Sequence, residues 1–171
     1  MHKYGARQPP SHQATRWLAR PQPHPPAPHP MPQPPAATPT PDAVSGLRCF
    51  LVEDSQVIRY NLIATLEEML PMRVVGFAED EYAAERWMAS SGTDCDVLII
   101  DIFLKAGTGL QVLQQAGVLC PAARRVVLTN YATPAMRRRC LQLGAHRVFD
   151  KSSELDELLH YCAGLAPARP S

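Results

Sequence analysis

The run Leu98-Ile99-Ile100-Asp101-Ile102-Phe103-Leu104 carries three branched apolar residues straight into an aspartate. An apolar run this short and unbroken reads as a strand covered on both faces, as in a parallel sheet flanked by helices. The predicted strand spans 96–100, with Asp101 at its exit. Outward in both directions, comparable runs recur at 47–52, 73–78, 125–128 and 146–149. Amphipathic stretches follow each of the five, at 56–70, 81–90, 110–116, 134–143 and 153–163. Such alternation predicts an α/β fold, a doubly wound five-stranded parallel sheet with flanking helices.

Local signals punctuate these elements. Ser55, Asp80, Thr133 and Ser152 are placed to cap or open helices, since their side-chain oxygens can accept from the unpaired N–H groups of a first turn. Pro71 ends the first helix, and Pro134 falls in the first turn of the fourth, where proline is tolerated. On the first helix, Val57, Leu62, Leu66 and Met69 are expected to lie on the sheet, with polar Arg59, Glu67 and Glu68 between them.

The 171 residues leave room for one domain and a tail. Thirteen of the eighteen prolines lie between Pro9 and Pro41, in a stretch lacking the apolar residues that offset the entropy of ordering a chain. Residues 1–45 are therefore expected to form a disordered Pro-rich leader, 46–165 the folded domain and 166–171 a disordered tail. The leader's composition suits a linker better than a polyproline ligand or a histidine metal site. Lys plus Arg number 17 against 16 Asp plus Glu, so net charge gives no reason to expect a nucleic-acid or membrane partner. No apolar run approaches the roughly 20 residues that cross a bilayer, and no signal-peptide core follows the basic start. Cys49, Cys95, Cys120, Cys140 and Cys162 are odd in number, scattered and set among apolar neighbours. That pattern suits buried thiols in a reducing compartment, and the chain is expected to be cytoplasmic.

Ligand sites in open parallel sheets collect at the carboxyl ends of the strands. That rule gathers Glu53 and Asp54 after the first strand, Asp101 after the third, Thr129 after the fourth and Lys151 after the fifth. Three carboxylates on one edge repel one another, and a divalent cation with oxygen ligands, Mg2+ above all, is the simplest way to hold them together.

Val52-Glu-Asp-Ser55, Leu98 to Leu104, Val127-Leu-Thr-Asn130 and Phe149-Asp-Lys-Ser152 together resemble the receiver domain of response regulators, over about 47–163. The distances from Asp101 to Thr129 and from Thr129 to Lys151 look like that family's, whereas Asp54 to Asp101 is a few residues longer. The resemblance implies a flavodoxin-like fold and a stand-alone two-component or phosphorelay protein. Such a protein is not an enzyme beyond assisting its own phosphoryl transfer and dephosphorylation. It implies that Asp101 accepts a phosphoryl group from a sensor histidine kinase or phosphotransfer protein, that Thr129 bonds a phosphoryl oxygen, and that Lys151 supplies a cation. It implies Mg2+ held by Asp54, Asp101, Glu53 through water, and the backbone carbonyl of Phe103. Only some twenty residues follow Lys151, so output is expected through contact with a downstream protein.

The chain departs from the family's commonest pattern in several places. Lys105 and Ala106 stand where a proline often shapes the loop, Asn130 replaces a small residue, and Ser152 replaces the proline that commonly follows the lysine. Val148 stands where an aromatic residue is common, with Phe149 on the opposite strand face. Phe103 and Tyr131, two residues beyond the acceptor and the threonine, are expected to flank the phosphoryl group and slow its hydrolysis by excluding water. Arg137, Arg138 and Arg139 read as a solvated basic face ahead of a site for an acidic partner. Two other readings compete. A pseudo-receiver would dock partners without phosphorylation, against which the presence of Asp54, Asp101, Thr129 and Lys151 argues. A haloacid-dehalogenase-like phosphatase would need an aspartate where Phe103 stands.

Overall fold

Strands β1 (Leu47–Val52), β2 (Met72–Ala78), β3 (Val97–Ile100), β4 (Arg124–Thr129) and β5 (Arg147–Asp150) form one parallel sheet in the order β2-β1-β3-β4-β5. The computed structural model describes residues 46–165; the expected leader and tail lie outside them. Each strand feeds a helix in turn: α1 (Gln56–Met69), α2 (Glu81–Ser91), α3 (Gly109–Leu119), α4 (Pro134–Gln142) and α5 (Leu155–Ala163). A single 3-10 turn at Gly92–Asp94 precedes β3.

Period-two alternation divides the core between the two faces of the sheet. Leu51, Ile99, Leu128 and Phe149 pack with Leu62 and Leu66 of α1 and Leu158 and Cys162 of α5. Val52, Ile100, Val127 and Val148 pack with residues of α2, α3 and α4. β3, central in the sheet, is buried along its whole length, as its unbroken apolar sequence requires. Each such Val, Leu or Ile contributes about 1.5–3 kcal/mol through burial, so the two apolar layers outweigh the exposed ion pairs, each worth about 1 kcal/mol or less. All five cysteines are free and buried in these layers. Burial pushes the Cys95 thiol up to about 12 and the Cys162 thiol up to about 11, and raises Cys49 well above its ordinary value. No helix among the described residues is long and apolar enough to cross a membrane.

Ser55, Asp80 and Thr133 cap α1, α2 and α4, accepting from the N–H groups of Ile58, Ala83 and Met136 at 3.4, 2.8 and 3.2 Å. Leu70 takes an extended conformation before Pro71, as a pre-proline residue must. Several expectations need correction. Val57 and Met69 are 71% and 64% exposed, and the residue that joins Leu62 and Leu66 on the buried side of α1 is Arg59. Positions 59, 62 and 66 share one helical stripe, and the polar head of Arg59 finds partners at the sheet edge. Ser152 caps nothing: the Asp150 carboxylate accepts from the Ser152 N–H at 2.8 Å and the Ser153 hydroxyl at 3.2 Å. That turn consumes both serines, so α5 starts only at Leu155. Helix α3 runs on to Leu119 because Gly117 lowers helix propensity without ending it. Thr129 is the last residue of β4 rather than the first beyond it. Arg137 is not a solvated charge, since its guanidinium donates to the carbonyls of Ala132 (3.0 Å) and Val148 (2.6 Å) and to Glu154 (2.7 Å).

Candidate functional site

Strand pairing brings the acidic residues together. β1 and β3 pair with Val52 opposite Ile100, so the next residues out, Glu53 and Asp101, are neighbours. The ladder continues past the strand ends, with the Asp101 N–H bonded to the Val52 carbonyl at 2.9 Å and the Glu53 N–H to the Ala78 carbonyl at 3.0 Å. Glu53 and Asp101 are buried and Asp54 is half-buried. Carboxylate oxygens of all three lie within 4.8 Å of one another.

Lys151 reaches in from beyond β5. Its Nζ bonds Glu53 Oε2 at 2.5 Å and Asp101 Oδ2 at 2.6 Å, with all three side chains at most 9% exposed. The ammonium thus compensates two buried carboxylates that would otherwise be left unpaired at high cost. Its backbone is fixed by the bond from the Lys151 N–H to the Thr129 carbonyl at 3.1 Å. Thr129 is fully buried, and its hydroxyl accepts the Tyr131 N–H at 3.4 Å. Asn130 Oδ1 lies 3.3 Å from the Ser152 hydroxyl, joining the loops after β4 and β5.

The loop from β3 to α3 turns back on Asp101. Phe103 donates its N–H to Asp101 Oδ1 at 3.4 Å and forms an antiparallel bridge with Thr108. The turn passes through Gly107 at φ +75°, a conformation glycine adopts without strain. Thr108 caps α3, accepting the Leu110 N–H at 3.2 Å. Gly109 sits so close to Asp101 that a Cβ there would fall 1.9 Å from the Asp101 carbonyl oxygen. The rings of Phe103 and Tyr131 meet edge to face, with centroids 5.7 Å apart and an interplanar angle of 86°. Both are more than half exposed.

All the residues expected at the site, Glu53, Asp54, Asp101, Phe103, Thr129 and Lys151, therefore occupy one edge of the sheet. Three converging carboxylates form a hard-oxygen donor set, which suits a hard divalent cation. Sequence reasoning missed a second ring of residues. Arg59 donates to the Glu53 carbonyl at 2.8 Å and to Glu79 at 2.9 Å, and its guanidinium lies 4.4 Å above the Phe77 ring. Lys105 bonds the other oxygen of Glu79. The Lys105 hydrogen bond and charge, then Arg59, hold the Glu79 carboxyl below the usual carboxylate range. The 59, 62, 66 spacing carried a signal for Arg59. Nothing local carried one for Glu79 and Lys105, which stand 26 residues apart.

A family model described as the response regulator receiver domain matches residues 49–163. An uncharacterized transcriptional regulatory protein, YvfU, of Bacillus subtilis (strain 168) is 29% identical over 112 residues, covering 66% of this chain and 55% of YvfU. The chain thus spans about half the length of that curated relative. Among solved structures, a two-component response regulator of the LuxR family from Aurantimonas sp. SI85-9A1 is 25% identical with a TM-score of 0.63, over 72% of this chain and 89% of that one. A response regulator from Burkholderia pseudomallei, solved with a phosphorylated aspartic acid, a calcium ion and citrate, is 23% identical with a TM-score of 0.58, over 66% of this chain and 64% of that one.

Proposed function

The chain belongs to the response regulator receiver family, and from that premise we propose that Asp101 accepts a phosphoryl group from the phosphohistidine of a sensor kinase or phosphotransfer protein and signals through contact with a downstream protein. The observation that carries this reading is the buried Lys151 ammonium shared between Glu53 and Asp101, with Asp54 beside them. An Asp101 oxygen forms the bond to phosphorus as the donor's P–N bond breaks, and the released imidazole nitrogen takes up a proton. Glu53, Asp54, Asp101 and the Phe103 carbonyl would hold Mg2+, which when bound supplies positive charge to the transferring phosphoryl oxygens. Lys151 orients Asp101 before transfer and offsets the added charge after it. A phosphorylated side chain carries roughly −1.5 to −2, and the Thr129 hydroxyl, two residues before Tyr131, is the group that draws the loop after β4 toward that charge. The aromatic pair of Phe103 and Tyr131 covers the approach of water and lengthens the life of the phosphorylated state. The phosphorylated aspartic acid carried by the Burkholderia pseudomallei response regulator supports the same chemistry.

The test is incubation of the purified chain with Mg2+ and acetyl phosphate, followed by intact mass, with Asp101→Asn as control. One added phosphate, lost in that variant, is the expected result. No addition from acetyl phosphate or from a kinase panel would favour the pseudo-receiver reading instead.

A further inference from the structure

We propose that Arg59, Glu79 and Lys105 form a charged strap that holds the β3–α3 loop over the acidic cluster, making Glu79 and Lys105 positioning residues for the divalent-cation site. This deepens the receiver reading and rests on it.

The loop between Asp101 and Gly109 includes Gly107 and has no proline, so its backbone lacks a ring to fix it and must be held by contacts. Its far end is held: Glu81 accepts the Thr108 N–H at 2.9 Å, and the Glu81 N–H donates to the Ala106 carbonyl at 3.2 Å. The part nearer the acceptor, from Phe103 to Lys105, carries the carbonyl expected to face the cation. There Leu104 packs against the core and Phe103 meets Tyr131, and the charged side-chain anchor is Lys105, bonded to Glu79 in the loop between β2 and α2. Glu79 is held in turn by Arg59, whose side chain is only 8% exposed. Arg59 is itself immobilised between the Phe77 ring and the Glu53 carbonyl. The chain of contacts therefore begins at the backbone of one acidic residue, passes through Arg59 on α1 and Glu79 on the β2–α2 loop, and ends at Lys105, four positions beyond Asp101. The two loops that would supply the ion's ligands, after β1 and after β3, are thus tied together through the β2–α2 loop, and the tie does not pass through the cluster's own carboxylates. Its outer link is half exposed and ionic, so it weakens with salt, as a proline ring would not.

The experiment uses the full chain without phosphodonor and compares the parent with Glu79→Gln, Lys105→Met and Lys105→Arg. Amide hydrogen exchange over residues 103–107 is followed in metal-free buffer at low and high salt, and Mg2+ affinity is measured by calorimetry. Glu79→Gln and Lys105→Met are expected to speed exchange in that loop and to weaken Mg2+ binding about three- to tenfold. Lys105→Arg should restore both, and high salt should make the parent resemble the variants. Exchange unchanged in Glu79→Gln, or Mg2+ affinity within about twofold of the parent, overturns the proposal. Because neither readout needs phosphorylation, a failure of Asp101 to accept phosphate bears on the receiver reading and leaves these two results to decide the strap.

Discussion

Replacing Gly109 by alanine is expected to disturb Asp101 without changing any charged group. The new Cβ would lie 1.9 Å from the Asp101 carbonyl oxygen and 2.7 Å from both the Asp101 carbonyl carbon and the Ile102 Cα. Real Cβ atoms essentially never approach closer than 3.0 Å, so the start of α3 and the exit of β3 must separate by roughly 1 Å in a closely packed interior. The three nearest atoms are all backbone, and no rotamer change relieves the contact. The separation strains the bond from the Gly109 N–H to the Ile102 carbonyl, now 2.9 Å, and moves Asp101 relative to Lys151. Overpacking costs about 1–3 kcal/mol, and a backbone-on-backbone contact belongs at the upper end. For a domain of about 120 residues that lowers the melting temperature by about 10 °C. A misplacement of about 1 Å at a reacting group can cost on the order of 100-fold in rate, so phosphorylation by acetyl phosphate should slow by about tenfold or more at a temperature where the variant is folded by circular dichroism. Gly117→Ala is the control: nothing lies within 4 Å of a Cβ there, and the gain in helix propensity should leave the protein unchanged or about 1 kcal/mol more stable. If Gly109→Ala melted and accepted phosphate like the parent, the close approach of α3 to Asp101 would have no energetic meaning.

Lys151→Met leaves Glu53 and Asp101 buried without their shared cation, and should lose about 3 kcal/mol or more in metal-free urea unfolding. Mg2+ should recover more stability in this variant than in the parent, and an unshifted unfolding midpoint would contradict the pairing. Breaking the aromatic contact with Phe103→Ala or Tyr131→Ala removes an interaction worth about 0.5–1.5 kcal/mol. Phosphoryl lifetime should shorten a few-fold, and equal lifetimes would remove these rings from its control. Burial first, then the charges of Arg125 and Arg124, hold His146 below the usual imidazole range, and its Nδ1 accepts the Arg125 N–H at 3.1 Å. The folded protein takes up this proton less readily than the unfolded chain, so the resulting stability is present above the ordinary histidine pKa and lost as pH falls through the lower folded value. His146→Gln should flatten the stability profile between about pH 7 and 5; the same slope in variant and parent would place its origin elsewhere.

The strands were legible because β1 and β3 are apolar on both faces and so carry an unambiguous signal. The site was legible because strand exits in a parallel sheet converge whatever the loops do. What the sequence hid is what depends on tertiary context. Arg59 reads as a surface residue by type, yet it buries its stem on the α1 stripe and sends its charge to a carbonyl and a carboxylate. Ser152 has the chemistry of a cap, but Asp150, two residues earlier, competes for the same stretch of backbone and wins. Nothing local in the sequence marks Gly109, which the structure needs for space beside Asp101. Arg137 sits in a run of three arginines, and only the packing of α4 against β5 and the start of α5 separates it from its neighbours.

The sulfur atoms sort by layer: Cys49 and Cys162 lie in the layer that includes α1 and α5, and Cys95, Cys120 and Cys140 in the layer that includes α2, α3 and α4. Protonated and shielded, each is inert to an alkylating reagent until its own layer lifts. The domain thus carries a native stopwatch on either side of its sheet. Uniform alkylation of all five thiols would mean the layers come away as one unit, and two distinct rates would mean one side of the sheet can be bared while the other stays closed.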